Sequence, residues 1–173
     1  MVKIGKWNDR RFNFDYSVDV YPVMLARLRG TPARLDEILT DLPKDVLTKQ
    51  VDGTWSIMQN AAHLIDVDVL HLCRMDDYDN NVDTLRPADR SAIDNHIPSF
   101  DRDSRADILK TFRLIRTDLH GRMAGLDEAG ALRSAHHPRL DQPMRVIDMA
   151  YFAAEHDDYH LARTYELVEL LAK

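Results

Sequence analysis

The sequence predicts an all-α fold, four helices packed as a bundle. Three observations predict it. The strongly periodic apolar runs repeat at three and four residues, the spacing of one helix face, and none of length repeats at two. With 6 glycines and 7 prolines in 173 residues, there is little material for the many tight turns of a sheet protein. Apolar residues at 45% and charged residues at 30% are ordinary proportions for a globular chain with a core. No repeat of fixed period and no low-complexity tract divides the chain, so residues 1–173 read as a single domain, with 1–19 as an N-terminal arm.

Each element has its own signal. In the arm, Phe12, Phe14 and Tyr16 alternate as in a short strand, but with Trp7 they read better as aromatics that pin the arm to the core. Tyr21, Met24, Leu25 and Leu28 then form a helical stripe, and Pro22 falls in a first turn, where proline is tolerated. Gly30 ends this piece and Thr31-Pro32 restarts it, with Thr as N-cap, so the first arm is expected in two parts broken at Gly30-Thr31. Leu35, Ile38, Leu39 and Leu42 continue the stripe. Pro43 to Thr54 reads as a loop.

Ser56 and Gln59 form a capping box that opens a second helix running to about Met75. It is apolar nearly all round, apart from a polar row of Gln59, His63, Asp66 and Arg74, with Leu70 completing it. That row is either a narrow solvent face or a seam facing a cavity inside the bundle, where metal and cofactor sites are built. Residues 76–103 read as a long linker of the kind that often serves as a lid. Ser104 and Asp107 cap a third helix with the stripe Ile108, Phe112, Ile115, Leu119, Met123, stopped by Gly125. Residues 126–142 read as a second linker, and the fourth helix follows Pro143.

Composition excludes several functions. A net charge of −6 with no basic cluster argues against nucleic acid as a partner. No apolar run reaches membrane-spanning length, and the N-terminus lacks the apolar stretch of a secretory signal, so no membrane association is expected. The single cysteine, Cys73, rules out an internal disulfide and a multi-cysteine metal site; it fits a reducing, cytoplasmic location and is most simply a packed thiol.

The chemistry concentrates in the last helix. Val146 to Ala172 contains no Gly and no Pro, and one face runs Met149, Ala153, His156, His160, Thr164, Leu167, Leu171. Asp148, Glu155, Asp158, Glu166 and Glu169 fall on the other face. Both histidines therefore point inward, one turn apart, so that two imidazoles converge on one point. Buried imidazoles must have their polar nitrogens satisfied, either by backbone and carboxylates or by a shared metal ion. A catalytic metal takes about three protein ligands and keeps an open position. His63, on the polar row of the second helix, is the best third ligand. His71 lies off that row and reads as packed or solvated. His120, near the end of the third helix, suits a cation at the dipole. His96, His136 and His137 fall in linkers.

Trp55-Ser56, then His63-Leu64-Ile65-Asp66, then His156-Asp157-Asp158-Tyr159-His160, with the early Leu28-Arg29-Gly30-Thr31-Pro32, resemble the DinB/YfiT superfamily across nearly the whole chain. The resemblance implies a four-helix bundle and a divalent metal, Zn or Ni, on His63, His156 and His160. It also implies thiol-cofactor-dependent transfer, isomerisation or metal-dependent hydrolysis. Asp66, one turn beyond His63, is the candidate to orient that ring, with a surface carboxylate or a direct ligand as the alternatives. Asp157 points about 100° from the histidine face and does not serve as the glutamate of a zinc peptidase. Arg74 is placed to bind an anionic substrate group or to form a surface salt bridge.

The expected activity is transfer of a low-molecular-weight thiol to a small electrophile, or hydrolysis, through a metal-activated thiolate or water. The alternative is a metal-binding module without catalysis. The excess apolar surface of the second helix, and the pairing habit of the resembled family, suggest a homodimer.

Overall fold

A computed structural model describes residues 3–89, 91 and 104–171. Four long helices carry the fold: α1 (Tyr21–Leu39), α3 (Ile57–Asp79), α4 (Arg105–Ala124) and α6 (Val146–Leu171). Among the described residues, two short helices, α2 (Lys44–Thr48) and α5 (Glu128–Ala131), and one hairpin, β1 (Ser134–His137) with β2 (Gln142–Arg145), occupy the connections. The four-helix bundle expected from periodicity is what forms.

Around the bundle, α1 packs on α4, α4 on α3, α3 on α6, and α6 on α1. Side-chain pairs give the directions. Arg116 of α4 meets Asp68 of α3, and Arg122 meets Asp76, so α3 and α4 run parallel. Asn60 meets His160 while Tyr78 meets the Met144 carbonyl just before α6, so α3 and α6 run antiparallel. A parallel neighbour demands a return crossing of a whole helix length, roughly 30 Å for 20 residues. The long connection between α3 and α4 follows from that demand. Part of it, with the expected lid and His96, lies outside the described residues.

The first arm is not broken. Helix α1 runs straight through Gly30, Thr31 and Pro32. Pro32 has no N–H for the Leu28 carbonyl, which would strand a buried acceptor. Arg116 of the neighbouring helix fills the gap, its Nη1 donating to that carbonyl at 2.8 Å. A tertiary hydrogen bond thus removes the local reason for a break.

Helix α3 continues past Met75 to Asp79. Its acidic last turn opposes the helix dipole, but Arg122 pairs with Asp76 and Asp79, and Arg133 pairs with Asp79. The expected loop after Pro43 contains α2, and the linker 126–142 contains α5 and the hairpin's first strand. The hairpin is antiparallel, pairing Ala135 with Met144 and His137 with Gln142. Ala135, His137 and Met144 face inward. His136 is tied by backbone bonds to Asp83 and Leu85, which docks the segment after α3 against β1. Asp148, expected on the outer face, is buried instead. Its carboxylate accepts from the Arg145 backbone N–H at 2.8 Å and pairs with the Arg145 guanidinium, closing the N-terminus of α6.

The N-terminal arm forms no strand among the described residues. Two 3-10 turns, Trp7–Asp9 and Val18–Val20, bracket an extended piece. Trp7, Phe12, Phe14 and Tyr16 pack on the core as expected. Gln142 donates to the Phe12 carbonyl, and Arg145 to those of Phe14 and Tyr16, so the arm is bonded to the hairpin.

The apolar core comes in two halves. One contains Leu25, Leu28, Met75, Leu119 and Met149; the other contains Leu35, Leu39, Ile57, Phe112, Leu161 and Leu167. Between them each long helix contributes buried polar groups: Thr31, then His63 and Asp68, then Arg116, then His156, Asp157 and His160. The surplus apolar surface of α3 is met by α2, α4 and α6. Val69 is its one exposed large hydrophobic residue. No described helix is long and apolar enough to cross a membrane.

Candidate metal centre

The site begins with a helix cap. The Ser56 hydroxyl accepts the Gln59 N–H at 3.1 Å, and Gln59 Oε1 accepts the Ser56 N–H at 2.9 Å. Helix α3 therefore starts just before Asn60 and His63, which fall in its first turns facing α6. The polar row of α3 is a seam facing the interior: Gln59, His63 and Arg74 are buried.

On α6, His156 and His160 stack one turn apart, and their Nε2 atoms approach to 3.2 Å. His63 reaches across from α3, its ring centre 5.2 Å from that of His156 and 4.9 Å from that of His160. One nitrogen from each of the three rings lies within 4.8 Å of the others.

The tautomer of His160 can be read from its surroundings. Asn60 Nδ2 donates to the carbonyls of Trp55 and Ser56 at 3.2 and 2.8 Å, which fixes the orientation of the amide. Its Oδ1 therefore faces His160 Nδ1 at 2.9 Å and can only accept. The proton of His160 sits on Nδ1, and the Nε2 lone pair points into the site. Burial lowers the His63 pKa to about 4. His156 and His160 are held well below the ordinary range, by burial first and then by the neighbouring imidazoles. All three rings are neutral at pH 7, the state a metal requires.

This donor set fits a divalent cation. Two nitrogens at 2.0–2.1 Å from a tetrahedral zinc lie roughly 3.3 Å apart, against the 3.2 Å found between the Nε2 atoms of His156 and His160. The Nδ1 atoms of His63 and His156 are buried without hydrogen bonds, so these rings are not held as ordinary core histidines. Aromatic walls shield the rings. Trp55 packs on His63 at 4.7 Å and stacks on His160 at 6.1 Å; Trp7 places its edge against His156 at 4.9 Å.

Residues 27–163 match the family model of the DinB superfamily. The chain belongs to the DinB superfamily. Among solved structures it is similar to YfiT from Bacillus subtilis, described as a probable metal-dependent hydrolase with an unusual four-helix bundle topology. The two share 17% identity over 94% of each chain, with a TM-score of 0.82. At that identity the likeness is one of fold. No curated protein matches the sequence.

In this DinB-superfamily chain the other expected residues are dispersed. Asp66 is half-buried and stands outside the cluster of ligand atoms. Asp157 does face away from the triad: with Asp68 it grips Arg116 in a buried network, at 2.6 and 2.7 Å. Burial opposes the Arg116 charge, but the two carboxylates more than compensate and hold the guanidinium firmly protonated. Thr31 also donates to Asp157 at 2.7 Å. At His120, near the end of α4, partial burial and then Arg29 and Arg116 lower the pKa, which opposes the cation expected there. Cys73 is a half-buried free thiol. His136 pairs with Asp141 at the hairpin, at 3.2 Å.

Asn60 has no role in the sequence reading; Trp7, expected only to pin the arm, and Trp55, expected only as part of the family motif, also wall the site. Asn60 carried a weak signal: a polar residue one turn before His63, inside an apolar helix.

Proposed function

We propose that this chain is a metal-dependent hydrolase acting on a small molecule, with His63, His156 and His160 holding a divalent cation, zinc or nickel. The observation that carries the proposal is the convergence of three neutral, buried imidazoles, one of them fixed in tautomer by Asn60. When bound, such a cation supplies Lewis acidity, bringing the pKa of a water or thiol near neutrality and polarising a carbonyl. The chain's own residues set the conditions. Asn60 holds the His160 proton on Nδ1 and so keeps Nε2 directed inward. Trp55 and Trp7 cover the rings and keep bulk water from their faces. The Arg116 network anchors α6 next to His156 through Asp157. The likeness to YfiT supports hydrolysis over the alternatives.

The test is metal analysis of protein purified without an affinity tag, then a screen of esters, amides and lactones beside thiol-plus-electrophile pairs. Stoichiometric zinc or nickel with hydrolytic turnover is the expected result. Turnover only in the paired reactions would assign the centre to thiol transfer. Stoichiometric metal with no turnover would leave the non-catalytic module, and no metal would end the proposal.

A further inference from the structure

Two turns beyond His63 on α3 lies a second group of polar side chains that the metal centre does not use. His71 is 1% exposed, and neither of its ring nitrogens has a hydrogen-bond partner. Beside it, Arg74 is 3% exposed and pairs with no carboxylate among the described residues. Its Nε and Nη2 both donate to a single carbonyl, that of Arg86, at 3.2 Å, and the guanidinium has donors to spare. The Arg86 side chain is itself occupied with Asp77.

The hairpin brings two more groups. His137 Nδ1 accepts the Leu140 N–H at 3.2 Å, so the ring proton sits on Nε2. That Nε2 is buried and has no acceptor. Arg139, on the turn, lays its guanidinium 5.5 Å from the Phe152 ring, and His137 lies 5.7 Å from the same ring. Burial, and then the cationic Arg74 and Arg116, hold the His71 ring neutral. Arg116 is answered by Asp68 and Asp157; among the described residues no carboxylate forms a salt bridge with Arg74. Unmatched buried donors around one buried cation are costly unless an acceptor of negative charge completes them.

The geometry points to a recognition site for a carboxylate group of the substrate, built from His71, Arg74, His137 and Arg139. A single buried guanidinium flanked by neutral imidazole N–H groups matches one negative charge, and a planar fork suits a carboxylate. Phe152 and Trp7, 5.2 Å apart, form an apolar bridge from this site to His156. Eight residues of helix separate His71 from His63, about 12 Å along the axis. The substrate so described carries a carboxylate at one end, an apolar or aromatic middle, and the reacting group at the other. Arg139 also lines an open cleft of about 450 Å³ with Arg10, Arg11 and Asp141, and the three arginines outweigh the one carboxylate there. The inference rests on the hydrolase reading for what lies at the far end, but the carboxylate site itself needs no metal.

The test therefore uses the full chain without metal. Benzoate is titrated while the ring nitrogens of the ¹⁵N-labelled histidines are followed by NMR. Saturable shifts of His71 and His137 are expected, with none from benzamide. Arg74→Gln should weaken benzoate binding about tenfold or more. Arg139→Gln, at an exposed position where folding is not at stake, should weaken it several-fold and decides the matter if Arg74→Gln does not fold. Zinc content of both variants should equal that of the parent, so loss of benzoate binding is separable from failure of the metal centre. The proposal is overturned by any of four results: no saturable shift; equal binding of benzamide; unchanged affinity in the folded variants; or shifts confined to the rings of His63, His156 and His160. Tighter binding of inorganic phosphate would overturn the carboxylate assignment.

Discussion

Asn60 Oδ1 accepts the Nδ1–H of His160 at 2.9 Å, while the Asn60 amide nitrogen is tied to the carbonyls of Trp55 and Ser56. One side chain thus joins the cap of α3 to a candidate ligand on α6. The ring cannot turn over without breaking this bond, and its Nε2 lone pair is permanently presented.

Replacing Asn60 by Ala should therefore lower metal affinity by roughly 10–100-fold, the usual effect of losing the group behind a histidine ligand. Helix content by circular dichroism should stay near that of the parent. Isothermal titration with zinc reads the outcome, and unchanged affinity would show that the amide does not govern the ring.

His63→Ala, His156→Ala and His160→Ala should each abolish stoichiometric metal, read by elemental analysis, while the bundle stays helical. Since a metal binds the folded form, zinc at 100 times its Kd should stabilise the parent by about 2.7 kcal/mol and the variants hardly at all. Thermal melts with and without zinc make that comparison.

Asp66→Ala discriminates three roles. A loss equal to that of His63→Ala would make Asp66 a ligand. A partial loss, roughly 10–100-fold, would make it the group that orients His63. No loss in metal affinity, with stability within about 0.5 kcal/mol, would leave it outside the site.

Arg116 answers two buried carboxylates and the carbonyl that Pro32 leaves without a donor. Arg116→Met should cost roughly 3–5 kcal/mol, because both carboxylates stay buried without their partner. Urea denaturation measures it. A loss below about 1 kcal/mol would mean that the polar layer relaxes freely.

The pH response of the metal-free protein follows from the triad. His63 has its pKa lowered from 6.5 to about 4 in the folded chain. Above pH 6.5 the ring is neutral folded and unfolded, and pH has no effect through it. Between pH 6.5 and 4 the unfolded chain binds a proton that the folded chain refuses, so stability falls as pH falls. For His63 alone the loss at pH 5 is roughly 2 kcal/mol, and His156 and His160 act in the same direction. Melting at pH 7.5 and 5 checks this. Equal stability at both would mean that the rings are not buried as neutral groups.

By itself the sequence determined what is local. The apolar period set the four long helices, Ser56 and Gln59 set the start of α3, and the spacing of His156 and His160 on one face, with His63 on the polar row of α3, set the three candidate ligands. Within each helix these readings depend on residues a turn or two apart, where helix geometry alone decides which side chains share a face. Tertiary structure decided the rest. Asn60 and His160 are 100 residues apart, and Arg116 lies 48 from Asp68 and 41 from Asp157. Pro32 is tolerated inside α1 only because Arg116 arrives from another helix to take the Leu28 carbonyl. Whether the polar row of α3 met water or the interior depended on α6 and the hairpin covering it. The burial of His71 and Arg74 depended on the same cover, because desolvation is a property of what packs against a side chain, not of its neighbours in the chain.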